Sequence, residues 1–125
     1  MHYKEESNKS VQEVVETIQE IVSNYGFGVL HIHNVKNTLN SKGIEFEKEC
    51  QILDVCNPKV AEKLLGEDMS LSIIMPCKIS VYTDNNTTNI AMNSLTQLID
   101  DINPDFIELA QETQETLLKI INEAK

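Results

Sequence analysis

The stretch Gln51-Ile-Leu-Asp-Val-Cys-Asn-Pro58 decides the fold. Between Gln51 and Cys56, Asp54 is the one polar residue, and a run that is apolar on both faces is typical of a strand inside a sheet. Asn57 is a favoured N-cap residue and Pro58 is a favoured first residue of a helix. The stretch therefore predicts a buried strand that runs directly into a helix, with the Cys56 thiol at the junction.

Helices and strands are also predicted on either side of this stretch. Ser10 and Glu13 fit a capping box, and the apolar residues that follow recur at helical spacing as far as Tyr25. Asn103 and Pro104 have the same pattern as Asn57 and Pro58, an N-cap residue followed by proline, and they predict the start of a second long helix. Runs typical of strands lie at 2–6, 27–35, 47–56, 71–82 and 87–92. Short helical turns are expected after Val35, Asn57 and Ser94.

This order of elements predicts an α+β fold: strand, helix, four strands and helix, with a mostly antiparallel sheet and long helices packed on one face. The chain has 125 residues and no linker composition, so we expect a single domain over residues 1–125. In the strand at 27–35, simple alternation places Phe27, Val29, His31 and His33 on one face. In the strand at 71–82, Pro76 predicts a bulge or bend, which leaves the facing of Cys77 open.

The net charge of −10 argues against two classes of partner. A protein that binds nucleic acid or an anionic membrane must bring lysine and arginine to phosphates, so neither partner is expected.

No apolar run approaches the roughly 20 residues of a membrane helix, and the N-terminus has no secretory h-region. Three cysteines without a close pair indicate reduced thiols. A cytoplasmic location is therefore expected.

Three pieces of sequence resemble the domain of unknown function 302 family: Tyr25-Gly-Phe-Gly-Val-Leu30, Ile52-Leu-Asp-Val-Cys-Asn-Pro58 and Met75-Pro-Cys-Lys-Ile-Ser-Val-Tyr82. The resemblance extends over nearly the whole chain. It implies a fold similar to the TATA-binding-protein fold class and assembly as a homodimer. It implies no activity, cofactor or ligand.

Cys56 is the first candidate for chemistry. If a helix starts at Asn57, the sulfur lies near its positive end, where a thiolate is favoured over a thiol. Cys56 would then be a redox, persulfide-carrying or metal-binding residue, and Cys77 is its candidate partner. The alternative is that both cysteines are small buried residues of the core. Asn57 and Asp54 are further candidates for ligand binding at this junction, and Asp54 is expected to bond backbone N–H groups near the helix start.

His31 and His33 form a His-x-His pair, which can ligate zinc, copper or iron. Together with Cys56 and Cys77 they would make a soft metal site. The spacing of these residues matches no known metal-binding motif, so no metal or other cofactor is assigned. The alternative is that the histidines are ordinary residues of a strand face.

No motif for a nucleophile, a phosphate loop or a catalytic metal is present. The leading hypothesis is therefore a small homodimeric domain that binds a small apolar or sulfur-containing molecule, or serves as an accessory protein, without turnover. The alternative is a thiol-based redox or sulfur-handling protein that uses Cys56, with Cys77 beside it. If Phe27 and Val29 lie on the sheet face away from the helices, a second subunit is the simplest cover for that face.

Overall fold

The computed structural model describes residues 2–125 and confirms the α+β fold. Five strands are formed: β1 His2–Ser7, β2 Gly28–Asn34, β3 Cys50–Cys56, β4 Cys77–Asp84 and β5 Thr87–Asn93. The described α-helices are α1 Val11–Ile21, α2 Val35–Ser41, α3 Pro58–Glu67, α4 Leu95–Ile102 and α5 Ile107–Ala124. Short 3-10 helices occupy Val22–Tyr25, Met69–Ile74 and Pro104–Phe106.

The five strands form one antiparallel sheet in the order β1-β5-β4-β3-β2. β3 lies between β4 and β2, which agrees with its nearly continuous apolar sequence. The side chains of Leu53 and Val55 face the helices and are fully buried. Asp54 lies between them in sequence and therefore faces the other side of the sheet.

The main core lies between the sheet and the two long helices. α1 begins with the predicted capping box, in which Ser10 and Glu13 bond each other's backbone N–H groups. Its apolar face packs with that of α5 against the centre of the sheet. The core residues with at most 1% exposure are Val14, Val15, Ile18, Leu53, Val55, Ile79, Val81, Ile90, Leu117, Ile120 and Ala124.

A second, smaller cluster holds the short helices together. It contains Leu64 of α3, Leu71 of the 3-10 helix, Leu95 and Ile99 of α4, and Ala110 of α5. Cys77, at the start of β4, packs against this cluster and also against the main core. The first residue of β4 therefore lies where the two clusters meet.

The prediction of a strand over residues 71–82 is wrong in its first half. Asp68 caps a 3-10 helix with its side chain, which accepts from the backbone N–H of Ser70 at 3.0 Å. Leu71 is fully buried in this turn, whereas Ile73 is 77% exposed. In a strand these two residues would share a face. The predicted bend at Pro76 is present, and β4 begins at the next residue.

The predicted facing of β2 is also wrong. A bulge at Leu30 interrupts the pairing with β3, so that Val29 lies opposite Val55 and His31 lies opposite Asp54. The extra residue shifts the alternation by one position. Val29 accordingly packs against the main core, while His31 and His33 lie on the open face. Since Phe27 is also buried in the core, no apolar surface formed by Phe27 and Val29 remains to be covered.

Candidate functional site

An apolar pocket lies at the end of the sheet where the two clusters meet. The end of β3 and the start of β4 contribute Cys56 and Cys77, α3 contributes Ala61, and α5 contributes Ala110 and Thr113. The cavity volume is about 40 Å³. Because a cavity needs roughly 10–15 Å³ to admit one water molecule, this pocket has room for a very small molecule or a single ion.

A wider groove runs along the other side of one pocket wall. Residues 74–77 line both spaces, and Lys78 and Leu98 are among the other residues that line the groove. The groove has a volume of about 220 Å³.

The structure brings Cys56 and Cys77 to the same pocket. Cys77 pairs with Val55, so Cys56 follows the cross-strand partner of Cys77 by one residue. Both cysteines are half-buried and free. Burial raises the pKa of the Cys56 thiol. Burial, with a smaller contribution from the charge of Cys56, raises the pKa of Cys77 to about 11. Both residues are therefore protonated thiols at neutral pH.

The start of α3 explains why Cys56 is not a stabilised thiolate. Asn57 caps the helix as predicted, and its Oδ1 accepts from the backbone N–H groups of Lys59 at 3.1 Å and Val60 at 3.4 Å. Pro58 has no N–H to offer. The first free donors of the helix are thus directed to the asparagine amide, and the expectation that they favour a Cys56 thiolate is wrong.

Asp54 takes part in a separate polar group on the open face of the sheet. Lys78 Nζ donates to Asp54 Oδ1 at 2.7 Å, and His33 Nε2 lies 2.8 Å from Asp54 Oδ2. The hydrogen bond from Lys78, followed by that from His33, lowers the pKa of the Asp54 carboxyl. The expected bonds to backbone N–H groups near α3 are replaced by these side-chain partners.

The histidines and the cysteines do not come together. The ring of His31 lies edge-on to that of His33, with 4.3 Å between centroids, and neither histidine lines the pocket. Within residues 2–125, no group of three or more histidine, cysteine, aspartate or glutamate side chains could hold a metal ion. The four-residue metal site considered from the sequence is therefore not assembled. Cys50 also lies outside the pocket, at the start of β3.

Sequence reasoning missed the contribution of the C-terminal helices to the pocket. Leu95 and Ile99 of α4 and Ala110 and Thr113 of α5 line it. Their spacing predicted apolar helix faces but not the strands that these faces meet. A small residue such as Ala110 on an otherwise bulky apolar face was the available signal, because it leaves space beside its neighbours.

Comparison with known families identifies the family to which this chain belongs. The model of the family described as "Domain of unknown function DUF302" matches residues 3–124. The chain belongs to the DUF302 family. Among solved structures, a crystal structure of an uncharacterised conserved DUF302 protein from Bacillus stearothermophilus is 33% identical in sequence. It superposes with a TM-score of 0.93, over 99% of this chain and 98% of the other.

No curated protein matches this DUF302 chain. None of the helices formed by residues 2–125 combines the length and the apolar character needed to cross a bilayer. The family itself is uncharacterised, so the functional argument depends on the pocket and its residues.

Proposed function

We propose that this DUF302 protein is a homodimeric binding domain without turnover, and that its ligand enters the pocket that Cys56 and Cys77 help to line. The observation that carries the proposal is the pocket itself. It is an apolar space at the end of the sheet, and five different segments of the chain contribute to its wall. Apolar concave sites with a few polar atoms are the usual form of small-molecule sites.

The state of the two thiols supports binding rather than catalysis. A nucleophilic cysteine needs a lowered pKa from a nearby base, a cation or a helix start. Among the residues that the structure describes, burial is the main influence on the pKa of Cys56 and of Cys77, and it raises both. The thiols are therefore contact groups of the pocket wall at neutral pH.

The size of the pocket limits the ligand. Sites for drug-sized molecules have volumes of about 300–1,000 Å³. The pocket offers about 40 Å³, and the groove that shares residues 74–77 with it has about 220 Å³. The part of the ligand that lies in the pocket therefore consists of a few atoms at most.

Native mass spectrometry of untagged protein purified without oxygen tests this proposal. We expect an added mass that is present under native conditions and absent after denaturation. The variant Ala61→Phe fills the pocket wall and should lose that mass, whereas Glu62→Gln, on the exposed side of the same helix, should keep it. Xenon NMR provides a second readout, since xenon enters apolar cavities of this kind. Wild-type protein that shows neither an added mass nor xenon binding would overturn the proposal.

The resemblance to the family supports the homodimer. Sedimentation equilibrium at micromolar concentration should give twice the chain mass of 14.1 kDa. A single species at the chain mass would contradict the dimer while leaving the pocket proposal intact.

A thiol function is the second candidate, and it is supported by two free cysteines that are both among the residues lining one pocket. In this case an external disulfide, such as glutathione disulfide, would oxidise Cys56 and Cys77 to an intramolecular disulfide. The two thiols lose two protons and two electrons, and the external disulfide becomes two thiols. Incubation with glutathione disulfide should then lower the mass by two hydrogens in wild-type protein and in Cys50→Ser, but not in Cys56→Ser. An unchanged wild-type mass would exclude this candidate.

A further inference from the structure

We propose that His31 and His33 bind one divalent transition-metal ion on the open face of the sheet, and that Asp54 orients His33 for this purpose. Each histidine would supply one ring nitrogen, and water would fill the other positions around the ion. Imidazole is a ligand that suits nickel, copper and zinc. Neither histidine lines the pocket, so this inference is independent of the proposed function.

Both histidines project from the same face of an edge strand. β2 is the last strand in the sheet, and the bulge at Leu30 places His31 opposite Asp54 and His33 opposite Ile52. Residues two positions apart in a strand share a face. Both histidines are exposed, so an ion with its bound water can reach them from solvent.

The separation of the two rings fits neighbouring ligands on one ion. The ring centroids of His31 and His33 are 4.3 Å apart, and the ring planes make an angle of 72°. With metal–nitrogen bonds of about 2.0–2.1 Å, two imidazoles at a right angle around one ion have centroids about 4.5 Å apart. Right angles between ligands are typical of the tetragonal geometry of nickel(II) and copper(II). The distance between the rings is therefore already close to that of two ligands on one such ion.

Asp54 determines which nitrogen of His33 is available to a metal. Asp54 Oδ2 lies 2.8 Å from His33 Nε2, and an ionised carboxylate only accepts hydrogen bonds, so Nε2 carries a proton. In the neutral ring Nδ1 then holds the lone pair that binds a metal. Metal-bound histidines usually donate their other N–H to a carboxylate or carbonyl in this way, which fixes the ring and raises its basicity. Among residues 2–125, none forms a hydrogen bond with a ring nitrogen of His31.

The charges around the two histidines allow a cation to bind. Lys78 Nζ donates to Asp54 Oδ1 at 2.7 Å, so the nearest positive charge is paired with a negative one. The net charge of the chain is −10, which attracts cations to the protein. The part of the chain that the structure describes offers no third ligand from histidine, cysteine, aspartate or glutamate. The site is therefore a two-histidine site open to water, unlike a structural zinc site with four protein ligands.

Calorimetric titration with nickel(II) tests the inference, since thiols do not reduce this ion. Wild-type protein should bind one ion per chain, and a chelator should remove it. His31→Gln and His33→Gln should each weaken binding by at least about tenfold. His2→Gln is the matched control, because it removes the remaining histidine, and it should bind as the wild type does. An equal loss in His2→Gln, or one ion bound with wild-type affinity by the His31→Gln/His33→Gln double variant, would overturn the inference.

The orienting role of Asp54 has its own pair of variants. Asp54→Asn leaves both ligands in place but removes the carboxylate behind His33, and it should weaken nickel(II) binding by about tenfold. Lys78→Met removes the other side-chain partner of Asp54 and keeps the contact between Asp54 and His33, so its affinity should match that of the wild type. Circular dichroism verifies that both variants are folded. Equal weakening in the two variants would show that Asp54 acts only through the stability of the sheet.

Paramagnetic line broadening by nickel(II) locates the ion in the wild type without any variant. The backbone amide signals of residues 30–34 and 53–54 should broaden first, and those of residues 60–64 in α3, beside the pocket, should not. Broadening centred on Cys56 and Cys77 would contradict the histidine site by pointing to the thiols. Failure of nickel(II) to bind would overturn this inference and leave the pocket proposal intact, because xenon and Ala61→Phe test the pocket separately.

Discussion

Asp54 and Lys78 lie directly opposite each other on β3 and β4, and their side chains are joined by a hydrogen bond of 2.7 Å on the open face of the sheet. The Asp54 side chain is 13% exposed, whereas that of Lys78 is 54% exposed. A carboxylate at this depth needs its partners, because an unpaired buried charge is costly. Lys78 and His33 therefore explain how an acidic residue is accommodated in the middle of an interior strand.

We expect Asp54→Asn to lower the free energy of unfolding by about 1.5–3 kcal/mol at pH 7, the range for hydrogen bonds to charged groups. The folded-state pKa of Asp54 is lowered, so its stabilisation is present above the unfolded pKa of about 3.9 and is lost as the pH falls through the folded pKa. Urea unfolding from pH 7 down to pH 2.5 should show wild type and variant converging in acid. Asp84→Asn is the control, since Asp84 and Lys48 form an exposed ion pair at 3.4 Å whose loss should cost under about 1 kcal/mol. A constant difference at all pH values would contradict this role of Asp54.

The 3-10 helix before β4 can be tested with two neighbouring residues. Leu71→Ala should destabilise the protein by about 2–5 kcal/mol, because it removes a fully buried side chain from the second cluster. Ile73→Ala should change stability by less than about 0.5 kcal/mol, because Ile73 is exposed. Chemical denaturation of both variants checks the difference. Similar losses would indicate that the two residues share a face, as they would in a strand.

The cap of α3 is the next test. Asn57→Ala should cost about 0.5–2 kcal/mol, since the backbone N–H groups of Lys59 and Val60 lose their acceptor. Asn57→Asp retains an acceptor at the same position and should keep most of the stability. Thermal unfolding compares the two variants. If Asn57→Ala leaves the melting temperature unchanged, the amide does not cap α3.

Much of the fold follows from local sequence signals. Ser10 with Glu13, and Asn57 with Pro58, act over one turn of helix, so their effects can be read from adjacent residues. The apolar run before Cys56 predicted an interior strand for the same reason. The bulge at Leu30 could not be predicted, because it depends on pairing with a strand more than 20 residues away. One extra residue there reversed the expected facing of Val29 and left the two histidines on the open face.

The candidate site was harder to predict, because it depends on tertiary contacts. The sequence identified Cys56 and Cys77 individually but could not show that they line one pocket. It also could not show that Asn57 Oδ1 would take up the N–H groups expected to stabilise a Cys56 thiolate. Asp54 illustrates the same point, since its partners Lys78 and His33 lie on two neighbouring strands.

The buried thiol of Cys77 predicts a loss of stability at high pH. Its pKa is about 11 in the folded protein, above the value of about 8.5 for an exposed cysteine. Between these values the folded state holds a proton that the unfolded chain has released, so the free energy of unfolding falls as the pH rises. The contribution of this one group approaches about 1.4 kcal/mol per pH unit.

Urea unfolding of wild type and Cys77→Ser between pH 8.5 and 10.5 measures this contribution. Serine does not ionise in this pH range. The free energy of unfolding of Cys77→Ser should therefore fall with pH less steeply than that of the wild type, by up to about 1.4 kcal/mol per pH unit. Cys50→Ser should reduce the slope less, because burial also raises the pKa of Cys50 but a hydrogen bond with Ser80 acts in the opposite direction. Comparing slopes removes the constant cost of replacing sulfur by oxygen at this position, because that cost does not depend on pH. Equal slopes in wild type and Cys77→Ser would show that Cys77 ionises as readily in the folded protein as in the unfolded chain.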